Sequence, residues 1–396
     1  MTTIYDLPKP EESALAQSKA LTRCIQQEIA KNDGVISFAA FMELSLYHPT
    51  LGYYNANTFT LGEKGDFTTA PEISPLFAQC FAKQIQQIFP HLDAKNILEL
   101  GAGTGQFAVD LLQALKGLNC LPEFYYIYEI SMGLRKKQQE YLRSACPDYF
   151  SRIVWLDHLP THFIGCIIAN EVLDALPTNC FRIENHEVME RCVKWENNTF
   201  TWETRSPFTP QFSHKVAEIR DLYHLSNGYE SEINLQIQSF IKTLAKKIEQ
   251  GIILFADYGY GQREYYHPER RQGTLTCFYQ HKRHNNPLIL PGLQDITAHV
   301  DFTNIIENAA NFGCQLEGYT SQAAFLLACG LMELAAKQEK KLSSLDEIKL
   351  HHAIKLLTLP TEMGERIKIM ALSKGLNKNE EFSLMGFNLH DRRRDL

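Results

Sequence analysis

At 396 residues the chain has room for two or three domains, and 44% hydrophobic with 21% charged residues is the make-up of an ordinary folded protein. Its net charge of −7 argues against a nucleic-acid binder, which would carry a basic domain or stripe. No apolar stretch reaches the roughly 18 residues of a membrane span, and the ten cysteines form no C-x-x-C pair or zinc-type Cys/His spacing, which suits reduced thiols of a cytosolic protein.

The first residues, with Asp6, Glu11 and Glu12, lack a signal h-region and an Arg-rich transit pattern, which adds to a cytoplasmic expectation. Residues 13–33 read as a helix, with Leu15, Ala16, Leu21, Cys24, Ile25 and Ile29 at helical spacing. A second helix is expected over 38–48. An unusual loop rich in Gly, Thr, Asn and aromatics fills 51–75. Ser74 and Pro75 suit the N-cap and first position of a helix running to about Phe89. Leu76, Phe77, Cys80, Phe81, Ile85 and Ile88 would be its buried face.

A short apolar strand over 96–100 then ends in Glu99 and runs into Gly101, Gly103 and Gly105. Glycine lacks Cβ, so the chain can turn sharply there and bring backbone N–H groups against a ligand. Residues 106–116 follow as a helix, which makes strand, Gly-rich turn and helix the opening of a doubly wound nucleotide-binding sheet. Further strands are expected at 124–128, ending in Glu129; at 153–156, ending in Asp157; and at 165–169, running into Asn170 and Glu171. Helix-length gaps between them imply βαβ units, whose ligands lie beyond the carboxyl ends of the strands. Antiparallel strands are expected at 180–183, 188–195 and 199–203. A helix over 233–250 leads to a strand over 251–256 that closes on Asp257 and Tyr258, and 320–376 looks largely helical. The expected division is an N-terminal helical segment (1–90), a first part of the core (91–179), an inserted substrate or partner region (180–230), a second part of the core (231–319) and a helical C-terminal region with its tail (320–396).

The spacing of the turn chooses among ligands. A dinucleotide fingerprint G-x-G-x-x-G needs glycine at 106, where this chain has Gln106, so a nicotinamide dehydrogenase is disfavoured. The form E-x-G-x-G-x-G resembles motif I of S-adenosylmethionine (SAM)-dependent methyltransferases. Four further segments match one family in the same order: 65–74 (GDFTTAPEIS), 170–177 (NEVLDALP), 257–260 (DYGY) and 291–302 (PGLQDITAHVDF). Together they resemble the MidA-like methyltransferases, the family of the mitochondrial complex I assembly factor that methylates an arginine of a complex I subunit. The similarity runs from about residue 30 to residue 376; 273–284 matches only loosely. It implies a Rossmann-like α/β sheet of the class I SAM methyltransferases, SAM as cofactor, and a partner protein as acceptor, a respiratory-chain subunit in that family. Oligomeric state stays open, a homodimer included.

Roles follow for single residues. Glu129, about 20 residues past the Gly turn, suits the ribose hydroxyls. Asp157 suits the adenine amino group or, equally, a turn before His158. Glu99 suits the methionine amino group, and Asn170 joins the cofactor set at its strand end. By resemblance Gly65, Asp66, Thr68 and Thr69 belong to a loop folding over the cofactor. For an arginine acceptor the guanidinium has no free lone pair, and a carboxylate that binds its fork localises charge on the far nitrogens. Glu171 is the candidate for this grip. Asp174 would share it or cap a helix. Asp257 and Tyr258 would line the acceptor site. No metal is required; His299 and Asp301 lack a third ligand and read as structural. The cluster Tyr279, His281, Lys282, Arg283 and His284 reads as a solvated loop, and Arg392 to Arg394 as a mobile tail. Carboxylates after that strand would also suit another nitrogen acceptor. A SAM-binding assembly scaffold with little catalysis is the reading from a different class.

Overall fold

Ile252 to Ala256 is a run of apolar residues with no alternation, the pattern of a strand covered on both faces, and every one of them is buried. The computed structural model describes residues 7–55, 68–340, 342–376 and 382–396. In chain order its strands are β1 (Val35–Ser37), β2 (Asn96–Leu100), β3 (Tyr125–Tyr128), β4 (Ile153–Leu156), β5 (Phe163–Asn170), β6 (Asn179–Glu184), β7 (Glu187–Glu196), β8 (Thr199–Arg205) and β9 (Glu230–Ile233). They continue with β10 (Ile248–Tyr260), β11 (Thr276–Tyr279), β12 (Lys282–His284), β13 (Asp295–Thr297), β14 (Val300–Asp301), β15 (Gln315–Ser321) and β16 (Ile367–Lys374). The helices used below are α1 (Glu12–Lys31), α2 (Phe38–Tyr47), α3 (Ala70–Ile73), α4 (Pro75–Ile88), α5 (Gln106–Gly117) and α6 (Met132–Ala145), followed by α7 (Pro210–Tyr223) and α8 (Ile237–Lys247). The chain forms two compact units, one of Met1–Phe67, Asp174–Gln238 and Tyr260–Asp301, the other of Thr68–Leu173, Ser239–Gly259 and Phe302–Leu396.

The second unit is built on a sheet of order β15-β16-β10-β5-β2-β3-β4. From β10 to β4 all neighbours run parallel, while β16 is antiparallel to both β10 and β15. The chain leaves β2 toward β3 on one side and returns to β5 on the other, so the carboxyl ends of β2 and β5 flank a topological switch point. This is the Rossmann-like α/β sheet expected of a class I methyltransferase. Helix α4 starts as its sequence suggests: the Ser74 side chain accepts from the Leu76 N–H at 3.2 Å, and Pro75 fills the first position. Phe77, Phe81, Leu111, Leu112, Ile168 and Leu254 belong to the core of this unit.

Residues 320–376 are not the largely helical segment the sequence suggests. Helices do occupy Gln322–Ala328, Leu331–Glu339 and Ser344–Thr358, but β16 then enters the sheet between β10 and β15. Its first seven residues are all buried, and a run without alternation cannot be told from a buried helix by period. Likewise the expected helix over 233–250 is confined to α8, with β9 before it and β10 beginning at Ile248.

In the first unit β1, β7, β6 and β9 form a sheet in that order, with β8 also paired to β7. Phe212 and Val216 of α7 share a buried cluster with Phe181, Ile183, Tyr229, Tyr265 and Tyr266. The segment holding Tyr279 to His284 is no plain loop. It is the hairpin β11–β12, closed by Gln280 and His281 at φ 45° and 61°, with Tyr279 and His284 buried and Lys282 and Arg283 exposed.

Candidate active site

Gly101, Gly103 and Gly105 adopt φ of 64°, 55° and 86°, the left-handed region that side chains disfavour, so the spacing of motif I meets a backbone need at each position. The Gly101 N–H still bonds the Tyr128 carbonyl at 3.0 Å; beyond it the chain leaves the sheet and turns into α5. A Cβ on Gly101 would sit 3.1 Å from the Val172 side chain, in the turn after β5. The loops after β2 and β5 therefore pack closely, and a side chain at Gly101 would be strained by its φ and would press on Val172.

Glu129, past the end of β3, is buried, and its carboxylate accepts from the Ser131 N–H at 2.9 Å and from Gln138 Nε2 at 3.0 Å. Burial raises its pKa against those donors. Gln138 lies on α6 and also donates to the Gly103 carbonyl at 2.9 Å. Asp157, past β4, is exposed and bridged to Arg135 at 2.5 Å. Glu99 is buried and accepts from the Tyr125 hydroxyl at 2.8 Å; burial pushes its carboxyl up to about 8.

After β5 the Glu171 N–H extends the ladder to the Ala256 carbonyl at 2.8 Å, and Glu171 then takes φ of 51°. A non-glycine residue held there stores backbone strain of order 1–3 kcal/mol, which gathers at functional sites. Its Oε1 accepts from Asn170 Nδ2 at 3.2 Å and from the Ala70 N–H at 3.4 Å. Burial, and next the negative charge of Asp257, push the Glu171 carboxyl up to about 8. Asp257 is fully buried. Its Oδ2 accepts from the Val172 and Leu173 N–H groups at 3.0 and 2.7 Å, and its Oδ1 from the Tyr258 N–H at 3.0 Å. It therefore holds the Glu171 turn in shape. Tyr258, half-buried, packs against the core.

Of the loop expected to cover the cofactor, Gly65 and Asp66 lie outside the described residues. Thr68 is exposed, and Thr69 opens α3 through a capping box with Glu72. The Thr104 side chain of the Gly turn also bonds Glu72, whose pKa burial raises. Asp174 falls in the other unit, is buried, and begins no helix; its carbonyl accepts the Ala298 N–H at 2.9 Å. Asp301 there accepts from Gln262 Nε2 at 3.0 Å, and the His299 ring lies against Tyr260 at 5.2 Å. Among the described residues no group of three or more His, Cys, Asp or Glu is placed to hold a metal ion.

The second unit thus brings Glu99, Asn170, Glu171, Asp257, Glu129 and the three glycines to one edge of its sheet. Comparison with known proteins decides the family. Residues 80–320, more than half of the chain, match the family model described as "Putative S-adenosyl-L-methionine-dependent methyltransferase". The chain belongs to this family. Its SAM-dependent methyltransferase character is further supported by a crystal structure of a COG1565 superfamily member from Burkholderia thailandensis bound to S-adenosyl-homocysteine. That protein is 37% identical, with a TM-score of 0.90 over 98% of this chain and 100% of that one. A native structure from the same organism gives 37% identity and a TM-score of 0.89 over the same shares. Among curated relatives, the protein arginine methyltransferase NDUFAF7 homolog of Drosophila melanogaster, named as mitochondrial, is 28% identical over 96% of this chain and 92% of its own length. The Danio rerio protein arginine methyltransferase NDUFAF7, also named as mitochondrial, is 28% identical over 90% and 88%.

The residues present fit SAM. Three left-handed backbone positions free of side chains and a buried, oriented carboxylate suit a nucleoside with a cationic aliphatic tail.

The raised carboxyls give the methyltransferase a testable acid–base signature. A carboxyl whose folded pKa lies above its unfolded value contributes stability that is present below the unfolded pKa and is lost as pH rises through the folded one. For Glu99 and Glu171 that window runs from about 4.5 to about 8. The melting temperature of the ligand-free protein is expected to fall across it, and less steeply in Glu99→Gln. Calorimetric melts at a series of pH values check this; equal slopes for wild type and variant would contradict it.

Proposed function

We propose that this methyltransferase modifies an arginine side chain of a partner protein, with Glu171 gripping the acceptor. The observation that carries this is Glu171 itself, a carboxylate held in a strained turn at the switch point, its pKa pushed up to about 8 by burial and by Asp257. Asp174, three residues on and in the other unit, remains a proposed acceptor-binding carboxylate in its own right, not one that shares a helical face with Glu171. Tyr258 belongs to the lining of the proposed acceptor site, and Asp257 acts through the backbone of the Glu171 turn. Glu129 is assigned to the ribose, the Gly101–Gly105 backbone to the aliphatic tail, and Glu99 to the amino end. Asn170 orients the Glu171 carboxylate. Asp157 and the loop containing Gly65, Asp66, Thr68 and Thr69 complete the cofactor set.

When bound, SAM supplies a methyl group on a sulfonium, so transfer forms one N–C bond as the C–S pair returns to sulfur. Glu171 is neutral below about pH 8 in the free protein. A docked guanidinium favours its ionised form, and the resulting carboxylate binds the fork and orients the reacting nitrogen. The same carboxylate accepts the proton that this nitrogen sheds. Because kcat/KM reports the free enzyme, it is expected to rise with pH, reach half of its plateau near 8 and level off above that.

The curated relatives named as arginine methyltransferases support arginine as the acceptor. A respiratory-chain subunit as the partner rests on the family resemblance. A cytoplasmic place for this chain is proposed from its ten free cysteines, which suit a reducing compartment. Among the described residues no helix is long and apolar enough to cross a membrane. The test is mass spectrometry of proteins from cells carrying the wild-type gene or Glu171→Gln. Methylarginine peptides present only with wild type are expected. A methyl group found instead on lysine or on an amide nitrogen would sink the arginine assignment.

The cofactor assignment has its own test. Glu129→Ala is expected to weaken S-adenosylhomocysteine binding about 10- to 100-fold, the scale of one or two charge-assisted hydrogen bonds. Calorimetric titration reads this directly, and unchanged affinity would remove Glu129 from the site.

A further inference from the structure

We propose that Gln138 and Trp155 are positioning residues for the cofactor, acting through Glu129 and Gly103. The inference rests on the assignment of Glu129 to the ribose. Gln138 is completely buried on a helix that is otherwise mostly polar, and both ends of its amide are engaged. Trp155 Nε1 donates to Gln138 Oε1 at 3.0 Å, while Gln138 Nε2 donates to Glu129 Oε2 at 3.0 Å and to the Gly103 carbonyl at 2.9 Å.

An amide side chain viewed alone has two orientations related by a flip, and its partners must choose between them. Here the choice is forced. An indole nitrogen can only donate, so the atom facing Trp155 must be the oxygen. The NH2 group then faces an ionisable carboxylate and a carbonyl, both pure acceptors when Glu129 is charged. Trp155, at the end of β4, thereby fixes which way Gln138 points. Gln138 in turn ties the carboxylate after β3 to the Gly turn after β2. Two loops and a strand at the cofactor edge share one side chain.

This arrangement does more than fill space. Glu129 has to present its carboxylate to a diol at hydrogen-bonding distance, and a carboxylate left free to rotate would have to be ordered at the cost of affinity. The Ser131 N–H fixes one carboxylate oxygen and Gln138 the other, so the carboxylate plane is set before ligand arrives. Preorganisation of this kind lowers the cost of binding without adding a ligand contact.

Gln138→Glu replaces the NH2 group by a carboxyl facing Glu129 and the Gly103 carbonyl. Gln138→Met keeps the length and removes both hydrogen-bonding ends. Trp155→Phe removes the donor that orients the amide and keeps an aromatic ring beside Phe150, so it perturbs packing less than a truncation would. Titration calorimetry with S-adenosylhomocysteine and with its 2′,3′-dideoxy analogue is the measurement, on variants whose melts show a folded protein.

Gln138→Met is expected to weaken S-adenosylhomocysteine binding about 10-fold and Trp155→Phe about 3-fold, losses of the size of one hydrogen bond or less. Both should bind the dideoxy analogue nearly as wild type does, so the preference for the diol narrows. In a Glu129→Gln background Gln138→Met should add less than about 2-fold, because the two act as one unit. Gln138→Glu should be the weakest binder of the single variants. Equal losses for both ligands, or losses that multiply with Glu129→Gln, would reduce Gln138 to a packing residue and overturn the proposal. If Glu129→Gln itself keeps the full preference for the diol, the ribose assignment fails instead, and the two failures are told apart.

Discussion

Glu171→Gln is expected to lower the methyl-transfer rate by about 100- to 1000-fold while leaving S-adenosylhomocysteine affinity within about 3-fold. The substitution keeps the shape of the side chain and an oxygen to accept from Asn170 and the Ala70 N–H, so the turn after β5 has no cause to rearrange. What it removes is the ability to ionise. A neutral amide cannot bind a guanidinium fork as a carboxylate does, nor take up the proton shed on methylation. Stability points the other way. The wild-type carboxyl, pushed up to about 8, loses its neutral form as pH rises, and the amide does not, so the variant should melt no lower than wild type near pH 8. A radiolabelled transfer assay beside a calorimetric melt separates the two effects. A folded Glu171→Gln protein that transfers methyl at the wild-type rate would remove Glu171 from the chemistry.

The sheet and the glycine turn were legible because each rests on a local physical demand. Alternate glycines after an apolar strand signal positive φ, and Gly101, Gly103 and Gly105 all have it. The strand-end acids could be placed because a parallel sheet brings its carboxyl ends to one edge. Gln138 carries a weaker signal: Leu134, Gln138 and Leu142 recur every four residues and form the buried stripe of α6, with one polar member whose partners lie outside the helix. Glu72 and Thr104 were in view only as parts of motifs, since their meeting joins loops from distant stretches of chain. The β11–β12 hairpin closes through Gln280 and His281 without the Asn-Gly type of pair that marks such turns. The Arg-rich end misled for an electrostatic reason. It reads as a solvated, mobile segment, yet Arg392 pairs with Glu365 and Asp395, its N–H bonds the Tyr319 carbonyl at 2.7 Å, and the Leu396 carbonyl accepts from Thr303 at 3.3 Å. Charge alone does not say whether a partner waits elsewhere in the fold.

Asp257→Asn separates rate from pH dependence in a way few single changes do. The wild-type carboxylate offers one oxygen to both Val172 and Leu173 N–H groups and the other to the Tyr258 N–H. An amide has only one oxygen, so at least one of those buried N–H groups must face an NH2. Leaving a buried donor unmade costs about 1–3 kcal/mol. The turn that carries Glu171 should shift accordingly, and kcat/KM should fall about 100-fold, the scale for a reacting group misplaced by 1 Å. The pH profile moves in the opposite sense to a simple loss of function. The negative charge of Asp257 is the second cause, after burial, that raises the Glu171 carboxyl. Without that charge Glu171 ionises more easily, so the rising limb of kcat/KM should move to lower pH while its plateau drops. Burial still acts, so the limb should stay above the range of an exposed glutamate. Rates measured from pH 5.5 to 9.5 would show both changes together. A slower enzyme whose limb stays in place would mean that Asp257 supports the backbone but does not set the ionisation of Glu171. A limb moving toward higher pH would place some other group in command of the profile.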